Sequence, residues 1–340
     1  MTDGNVIPLG WALIGCGGAG RAHAKYAVST PDVTVRGFCD VREESAQQAR
    51  EEHGGVYHTT DVDEILADAE VDIVSIATSH QSHAELAIAA CQAGKHLYLE
   101  KPMAMTAADC LRIAAAVKQA DVRLMLNFSI RFSGAAQEIK RRLGASKVSH
   151  GQCMMGPADL SRWRWHPEEG GGPLFDVGVH ALDLLCWIHD SDPVEVYATG
   201  GQVTHPGELG SDDLVDTAAT TLRFANGSVA TFLMSDAGFN EIVSKWFFEF
   251  CDGAHSAVLY EHFKKVTFNG PDAETGKVQS ETLTPEESAR LPRLVEAIRS
   301  GTQPEISARV GLVSTLLVEK IAESIHSGRP QKIEIPDLPD

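Results

Sequence analysis

No two cysteines stand at C-x-x-C spacing, and H-E-x-x-H is absent, as is any Cys/His cluster with zinc-finger spacing. The seven cysteines (16, 39, 91, 110, 153, 186 and 251) are scattered. An odd count without paired spacing fits reduced, buried thiols rather than a disulfide framework. Fourteen histidines are likewise spread without a ligand pattern, so no metal site is expected. Nor is there an apolar run near the roughly 20 residues that cross a bilayer, which excludes a membrane span. Positive charge is scarce: 29 Lys and Arg against 47 Asp and Glu leave a net charge of −18. A nucleic-acid partner needs a basic surface and is excluded on that ground. The stretch Met1-Thr2-Asp3-Gly4-Asn5 lacks the basic-then-apolar pattern of a signal peptide, so a cytoplasmic protein is expected.

What the chain does have is a glycine run, Gly15-Cys16-Gly17-Gly18-Ala19-Gly20. An apolar stretch, Leu9 to Ile14, reads as a buried strand before it, and an Ala-rich stretch, Arg21 to Ala27, reads as a helix after it. A G-x-G-x-x-G between strand and helix is the dinucleotide-binding context. Gly15 permits the tight turn, Gly17 lets backbone approach a pyrophosphate, and Gly20 lets helix and strand pack closely. The helix N-terminus offers free N–H groups and a positive dipole end to phosphate. Twenty residues beyond Gly20, Asp40 ends a second apolar run and is placed to accept hydrogen bonds from a ribose diol. A carboxylate there repels a 2′-phosphate, which favours NAD over NADP; Arg42 partly offsets the repulsion. The competing reading makes Asp40 the N-cap of a helix from Arg42 to His53.

Through residue 126, short apolar runs alternate with helical patterns, as expected for a parallel, doubly wound sheet. Glu100-Lys101-Pro102 follows the fifth strand, where ligands bind in open α/β sheets. Lys101 there is either a group that reaches a substrate hydroxyl or a solvated surface lysine, and the Lys–Pro bond is a candidate cis peptide. Beyond residue 127 the pattern changes to strands joined by short turns, with a hairpin at Ala225-Asn226-Gly227 and a final helix over Arg309 to Ser327. The expected fold is α/β: a Rossmann domain over 1–126, then a substrate-binding and oligomerisation α/β domain over 127–340 with a largely antiparallel open sheet. The C-terminal helix is a candidate to pack back on the first domain.

One helical stretch, Leu174 to Ile188, interrupts the β pattern after Gly170-Gly171-Gly172-Pro173. At 100° per residue, Asp176, His180 and Asp183 share a stripe on an otherwise apolar helix. Burying such groups is costly unless they are paired or used. An imidazole held by a carboxylate makes a general base near neutral pH; the competing reading is a solvated stripe or a structural His–Asp bond. Upstream, Arg162-Trp163-Arg164-Trp165-His166 places two arginines among aromatics, suited either to an anionic sugar or to a subunit contact.

These features together resemble the glucose–fructose oxidoreductase / inositol dehydrogenase (Gfo/Idh/MocA) family. The match rests on the glycine run 15–20, Asp40, E-K-P at 100–102, Arg131-Phe132, and the stretch 171–180 with Asp176, Gly178 and His180. The chain departs from the family where Thr78-Ser79-His80 stands for the usual Thr-Pro-Asn. The resemblance implies an NAD(P)-dependent enzyme that oxidises a hydroxyl of a sugar or cyclitol reversibly, with Lys101, Asp176 and His180 as the catalytic group. It places Thr78, Ser79, His80, His83 and Glu100 beside the cofactor, and Asn127 and Arg131 beside the substrate. It also implies a homodimer or homotetramer. The base remains open between His180 and Lys101. Two rival readings are a glycosidase that uses NAD transiently without net redox change, and a non-catalytic NAD-binding regulator.

Overall fold

A computed structural model describes residues 7–156, 159–211, 213–237, 245–272 and 275–338. Met1 to Asn5, the basis of the signal-peptide reading, lie outside the described residues. The chain divides into two compact units, one running through Asn127 and including Ala289–Leu312, the other formed by Phe128–Ser288 and Val313–Pro336.

The first unit follows the alternation read from the sequence. Its strands are β1 (Leu9–Ile14), β2 (Val33–Cys39), β3 (Tyr57–Thr59), β4 (Ile73–Ile76), β5 (His96–Leu99) and β6 (Leu124–Leu126). Its helices are α1 (Gly18–Ser29), α2 (Glu43–His53), α3 (Val62–Ala67), α4 (His83–Gln92) and α5 (Ala107–Ala120). The strands are all parallel, in the order β3-β2-β1-β4-β5-β6. Chain direction therefore reverses its winding between β1 and β4, the crevice where such sheets take ligands. Trp11, Leu13, Ile73, Ile76, Leu97 and Leu99 are wholly buried, as continuous apolar runs in a two-sided sheet must be.

The second unit begins with α6 (Gly134–Leu143) and β7 (Val148–Met154), then α7 (Val179–His189). There follow β8 (Pro193–Gly201), β9 (Thr217–Phe224), β10 (Val229–Ser235), β11 (Trp246–Cys251), β12 (Ser256–Tyr260), β13 (Lys265–Pro271) and β14 (Val278–Leu283). After α8 (Leu291–Ser300), which belongs to the first unit, come helix α9 (Ala308–Ser327) and β15 (Gln331–Lys332). The nine-stranded sheet has the order β14-β13-β12-β11-β7-β10-β9-β8-β15 and is antiparallel except between β7 and β10. Alternation is strict along β9 and runs through Met234 in β10, where every second residue is buried.

Three differences from the sequence reading have physical causes. Residues 289–312 belong to the first unit because the backbone there docks on β6, with the Leu126 N–H donating to the Ile306 carbonyl at 2.9 Å. Strand β14 (VQSETL) is exposed along most of its length and carries almost no apolar signal. The stretch 174–188 is not one α-helix: Leu174–Gly178 form a π-helical turn, and the Val179 N–H reaches back to the Leu174 carbonyl. Among the described residues no helix is long and apolar enough to cross a membrane, and no group of three or more His, Cys, Asp or Glu is placed to hold a metal ion.

Candidate functional site

At the end of β1, Gly15 takes φ +93°, and a Cβ there would lie 2.5 Å from the Ala77 carbonyl oxygen. A Cβ on Gly20 would fall 1.9 Å from the Gly15 carbonyl oxygen, so only glycine lets α1 approach the loop this closely. Gly17 and Gly18 differ: a Cβ on either would meet nothing within 4 Å. They front open space at the N-terminus of α1, whose first turn has no acidic residue. That opening, with its undirected backbone N–H groups, fits a pyrophosphate.

Asp40, just past β2, accepts the Cys16 N–H through Oδ2 at 2.8 Å and the Arg42 N–H through Oδ1 at 2.9 Å. Asp40 is not the N-cap of α2, a position that Arg42 takes; its carboxylate closes the turn before that helix and braces the glycine loop. Arg42 itself is exposed, its Nε 3.9 Å from Asp40. Burial, and then the charge of Asp40, push the Cys16 thiol up to about 12, so it stays protonated and unreactive.

The loop after β4 holds Thr78, whose hydroxyl lies 2.6 Å from Ser82 Oγ, and Ser79, whose carbonyl accepts the Ser82 hydroxyl at 2.8 Å. Ser79 has φ −70°, a value that proline also adopts, so its backbone is compatible with the proline of the usual Thr-Pro-Asn. His80 is buried, its ring 5.8 Å from that of His83. His83 is fully buried, with Nδ1 2.7 Å from the Pro102 carbonyl and Nε2 3.3 Å from that of Thr78. From that enclosed position its ring shapes the loop rather than facing open space.

Lys101 stands at the end of β5 and is half-buried, and the Lys101–Pro102 bond is cis. Glu100 beside it accepts from His23 Nε2 at 2.9 Å and from Asn127 Nδ2 at 2.6 Å. Burial alone would raise the Glu100 carboxyl. The His23 bond and charge, with Lys101 and Asn127, outweigh it and hold it at about 2. Asn127 Oδ1 in turn accepts the Tyr98 hydroxyl at 2.9 Å and Arg290 Nη1 at 3.2 Å. Sequence reasoning missed His23, Tyr98 and Arg290. An apolar helix and an apolar strand conceal the first two, and Arg290 lies 163 residues from its partner.

In the second unit, Gly170 packs where a Cβ would sit 2.4 Å from the Arg164 backbone, and the Gly172 N–H donates to the Arg164 carbonyl at 3.0 Å. This folds the tryptophan-rich loop onto the start of α7 and brings Arg164 Nε to 3.7 Å from Asp176 Oδ2. Arg164 also lies over the Trp163 ring, at 5.5 Å. Arg162 points elsewhere, to Asp159 at 3.3 Å on the surface, so the two arginines do not converge on one anion. Asp176 is buried and His180 half-buried, the latter with its ring edge-on to Phe128 at 5.9 Å. The π-helical turn between them replaces the regular α spacing on which the shared stripe was reckoned. Asp183 is claimed by Arg131 in a bidentate pair, Nε–Oδ2 at 2.9 Å and Nη2–Oδ1 at 2.7 Å. Arg131 is 7% exposed and also lies 5.4 Å from the Trp187 ring centroid, which makes it a buried brace. Trp165 packs with Leu209 and Leu214, and its ring meets His205, which lies 2.5 Å from the buried Asp236.

Comparisons with known proteins agree with this geometry. Residues 9–128 match a family model described as oxidoreductase family, NAD-binding Rossmann fold, and residues 141–241 match the Gfo/Idh/MocA C-terminal domain. A 1,5-anhydro-D-fructose reductase of Ensifer adhaerens is 31% identical over 231 residues, 65% of this chain and 68% of that one. A myo-inositol 2-dehydrogenase of Thermotoga maritima is 25% identical over 337 residues, covering 95% and 98% of the two chains. In fold, the chain resembles a levoglucosan dehydrogenase solved with NADH and levoglucosan, with a TM-score of 0.86 at 23% identity over 97% of this chain and 100% of that one. With a stretch of each unit matched by the family, and with the glycine loop, Asp40 and the E-K-P segment set along one edge of the parallel sheet, the chain belongs to the Gfo/Idh/MocA oxidoreductase family.

Proposed function

We propose that this protein is an NAD-dependent dehydrogenase acting on a secondary hydroxyl of a sugar, sugar derivative or cyclitol. One observation carries the reading. Lys101, at the end of β5, shares the carboxyl edge of a single parallel sheet with the open Gly17–Gly18 cradle after β1 and with Asp40 after β2. A cationic amine on the edge that takes the dinucleotide suits a substrate oxygen whose carbon is to lose hydride. The named relatives, a 1,5-anhydro-D-fructose reductase and a myo-inositol 2-dehydrogenase, support a substrate of this class.

Bound NAD supplies the hydride acceptor. The chain's own groups handle the proton: Lys101 polarises the reacting oxygen, and His180 accepts the proton from the substrate hydroxyl. Asp176 holds a neighbouring hydroxyl or the imidazole, with Arg164 Nε 3.7 Å from its carboxylate. Since Arg164 is offset by Asp176, a neutral polyol suits this part of the chain better than a sugar acid. The test is NADH formation with neutral and anionic sugars and cyclitols, in both directions. Turnover of neutral polyols supports the reading. Aglycone release from glycosides without NADH would replace it with transient oxidation, and NAD binding with no turnover of any polyol would make the protein a sensor.

The outer face of the nine-stranded sheet supports a homo-oligomer. Tyr197, Val148, Val229 and Leu233 are exposed there, and cross-strand pairing puts Leu233 beside Ala219 and Gln152, and Val229 beside Val148. A second copy of this chain would cover that face.

A further inference from the structure

Two fully buried histidines flank Lys101 along the chain's own backbone contacts. On one side, His23 on α1 meets Glu100 Oε1 at 2.9 Å, and the other carboxylate oxygen accepts the N–H of Lys101 itself at 3.2 Å. The protons in this cluster can be placed. Asn127 Oδ1 receives two donors, the Tyr98 hydroxyl and Arg290 Nη1, so its amide nitrogen must face Glu100. The carboxylate only accepts, so His23 Nε2 carries the proton it shares with Glu100. Tyr98 stacks on the His23 ring at 4.4 Å and fixes its plane. On the other side, His83 Nδ1 is 2.7 Å from the Pro102 carbonyl. Burial lowers the His83 pKa, and of its two carbonyl contacts the shorter one, Nδ1 to Pro102 at 2.7 Å, is assigned the N–H of the neutral ring.

Lys101 thus sits between a residue held by its side chain and a residue held by its carbonyl. Both holders are imidazoles sealed from water on helices that follow β1 and β4. A sheet-packing role alone would favour apolar side chains, which carry no desolvation cost.

We propose that His23 and His83 are positioning residues for the dehydrogenase reaction, fixing the Lys101 backbone through Glu100 and Pro102 respectively. The proposal rests on the reading of Lys101 as the group that engages the reacting oxygen. His23→Leu and His83→Leu remove the donors and retain bulk. His23→Gln and His83→Asn put an amide N–H near the lost Nε2 and Nδ1. Each is assayed for kcat and KM with myo-inositol, levoglucosan and 1,5-anhydro-D-fructose, and for NADH Kd by fluorescence. The leucine variants should lose about 10- to 100-fold in kcat, the scale of a small misplacement of a reacting group, with NADH affinity nearly unchanged. The amide variants should recover most of that loss. In a Lys101→Met background the leucine changes should add almost nothing, because groups acting as a unit are non-additive. Wild-type kcat in the leucine variants, or losses that multiply in the Lys101→Met background, would overturn the proposal. A Lys101→Met enzyme at full rate would instead remove the reading beneath it, and that is seen before any histidine is changed. Should the leucine variants not fold, near-isosteric Glu100→Gln takes their place. A fall in kcat at constant NADH Kd supports positioning, while a matching rise in Kd makes Glu100 a cofactor ligand and refutes it.

Discussion

Asp40 accepts the backbone N–H of Cys16 at 2.8 Å, across 24 residues of sequence. The carboxylate proposed to select the cofactor therefore also braces the loop that would hold its phosphates. Replacing Asp40 with Ser should narrow the preference for NAD over NADP and loosen the loop as well. Titration of the two cofactors should show wild type favouring NAD and Asp40→Ser reducing the gap. Equal affinities in the wild type would refute the assignment.

Arg131 and Asp183 form a bidentate pair that is nearly sealed, at 7% and 2% exposure. Removing one partner strands the other as a buried charge, so Asp183→Ala should cost about 3–5 kcal/mol. Arg131→Met with Asp183→Leu should recover much of that loss. Denaturant unfolding measures both, and a single variant of unchanged stability would show that the pair is dispensable.

Acid sensitivity follows from two buried groups. His189 lies between the Ser149 and Ser228 hydroxyls, stacked on Phe224, and burial lowers it from 6.5 to about 4. The unfolded chain thus takes up this proton at a higher pH than the folded one. Stability is full above pH 6.5 and falls as pH drops toward 4, by about 3 kcal/mol in all. Glu100, held at about 2 against 4.5, adds a second loss between those values. His189→Gln should flatten the upper part of the profile of melting temperature against pH. An unchanged slope there would mean that the imidazole titrates normally.

The sheet prediction concerns Leu233, at 36% exposure on the uncovered face. Leu233→Glu together with Val148→Glu should shift an oligomer toward monomer in light scattering at micromolar concentration. A wild type that is already monomeric at that concentration would contradict the proposed interface.

Much of the first unit was legible because its signals are local. Gly20 is required by a contact with Gly15 inside the same strand–turn–helix, and continuous apolar runs mark two-sided strands. The antiparallel strands announced themselves by alternation and by the turn at Asn226-Gly227. What stayed hidden depends on partners far along the chain. His23 reads as one polar residue in an Ala-rich helix until Glu100, 77 residues on, stands against it. Arg131 reads as a substrate ligand until Asp183 takes up its guanidinium. The π-helical turn at Leu174–Gly178 has no composition of its own and moves Asp176 off the spacing that a regular helix would give.

The central claim is that Lys101 and His180 carry out polyol oxidation with NAD, and its most direct test is the rate of the chemical step. NADH formation should be followed in single turnovers of the wild type, His180→Ala and Lys101→Ala on the best neutral polyol. His180→Ala should slow that step by about 10²–10⁴-fold, the worth of a positioned general base, and leave NAD affinity nearly unchanged. Lys101→Ala should be similarly slow, and the double variant should lose less than the product of the two. Loss of the basic-limb pH dependence in Lys101→Ala alone would make the lysine the base. A His180→Ala enzyme and a Lys101→Ala enzyme both turning over at the wild-type rate would contradict the account.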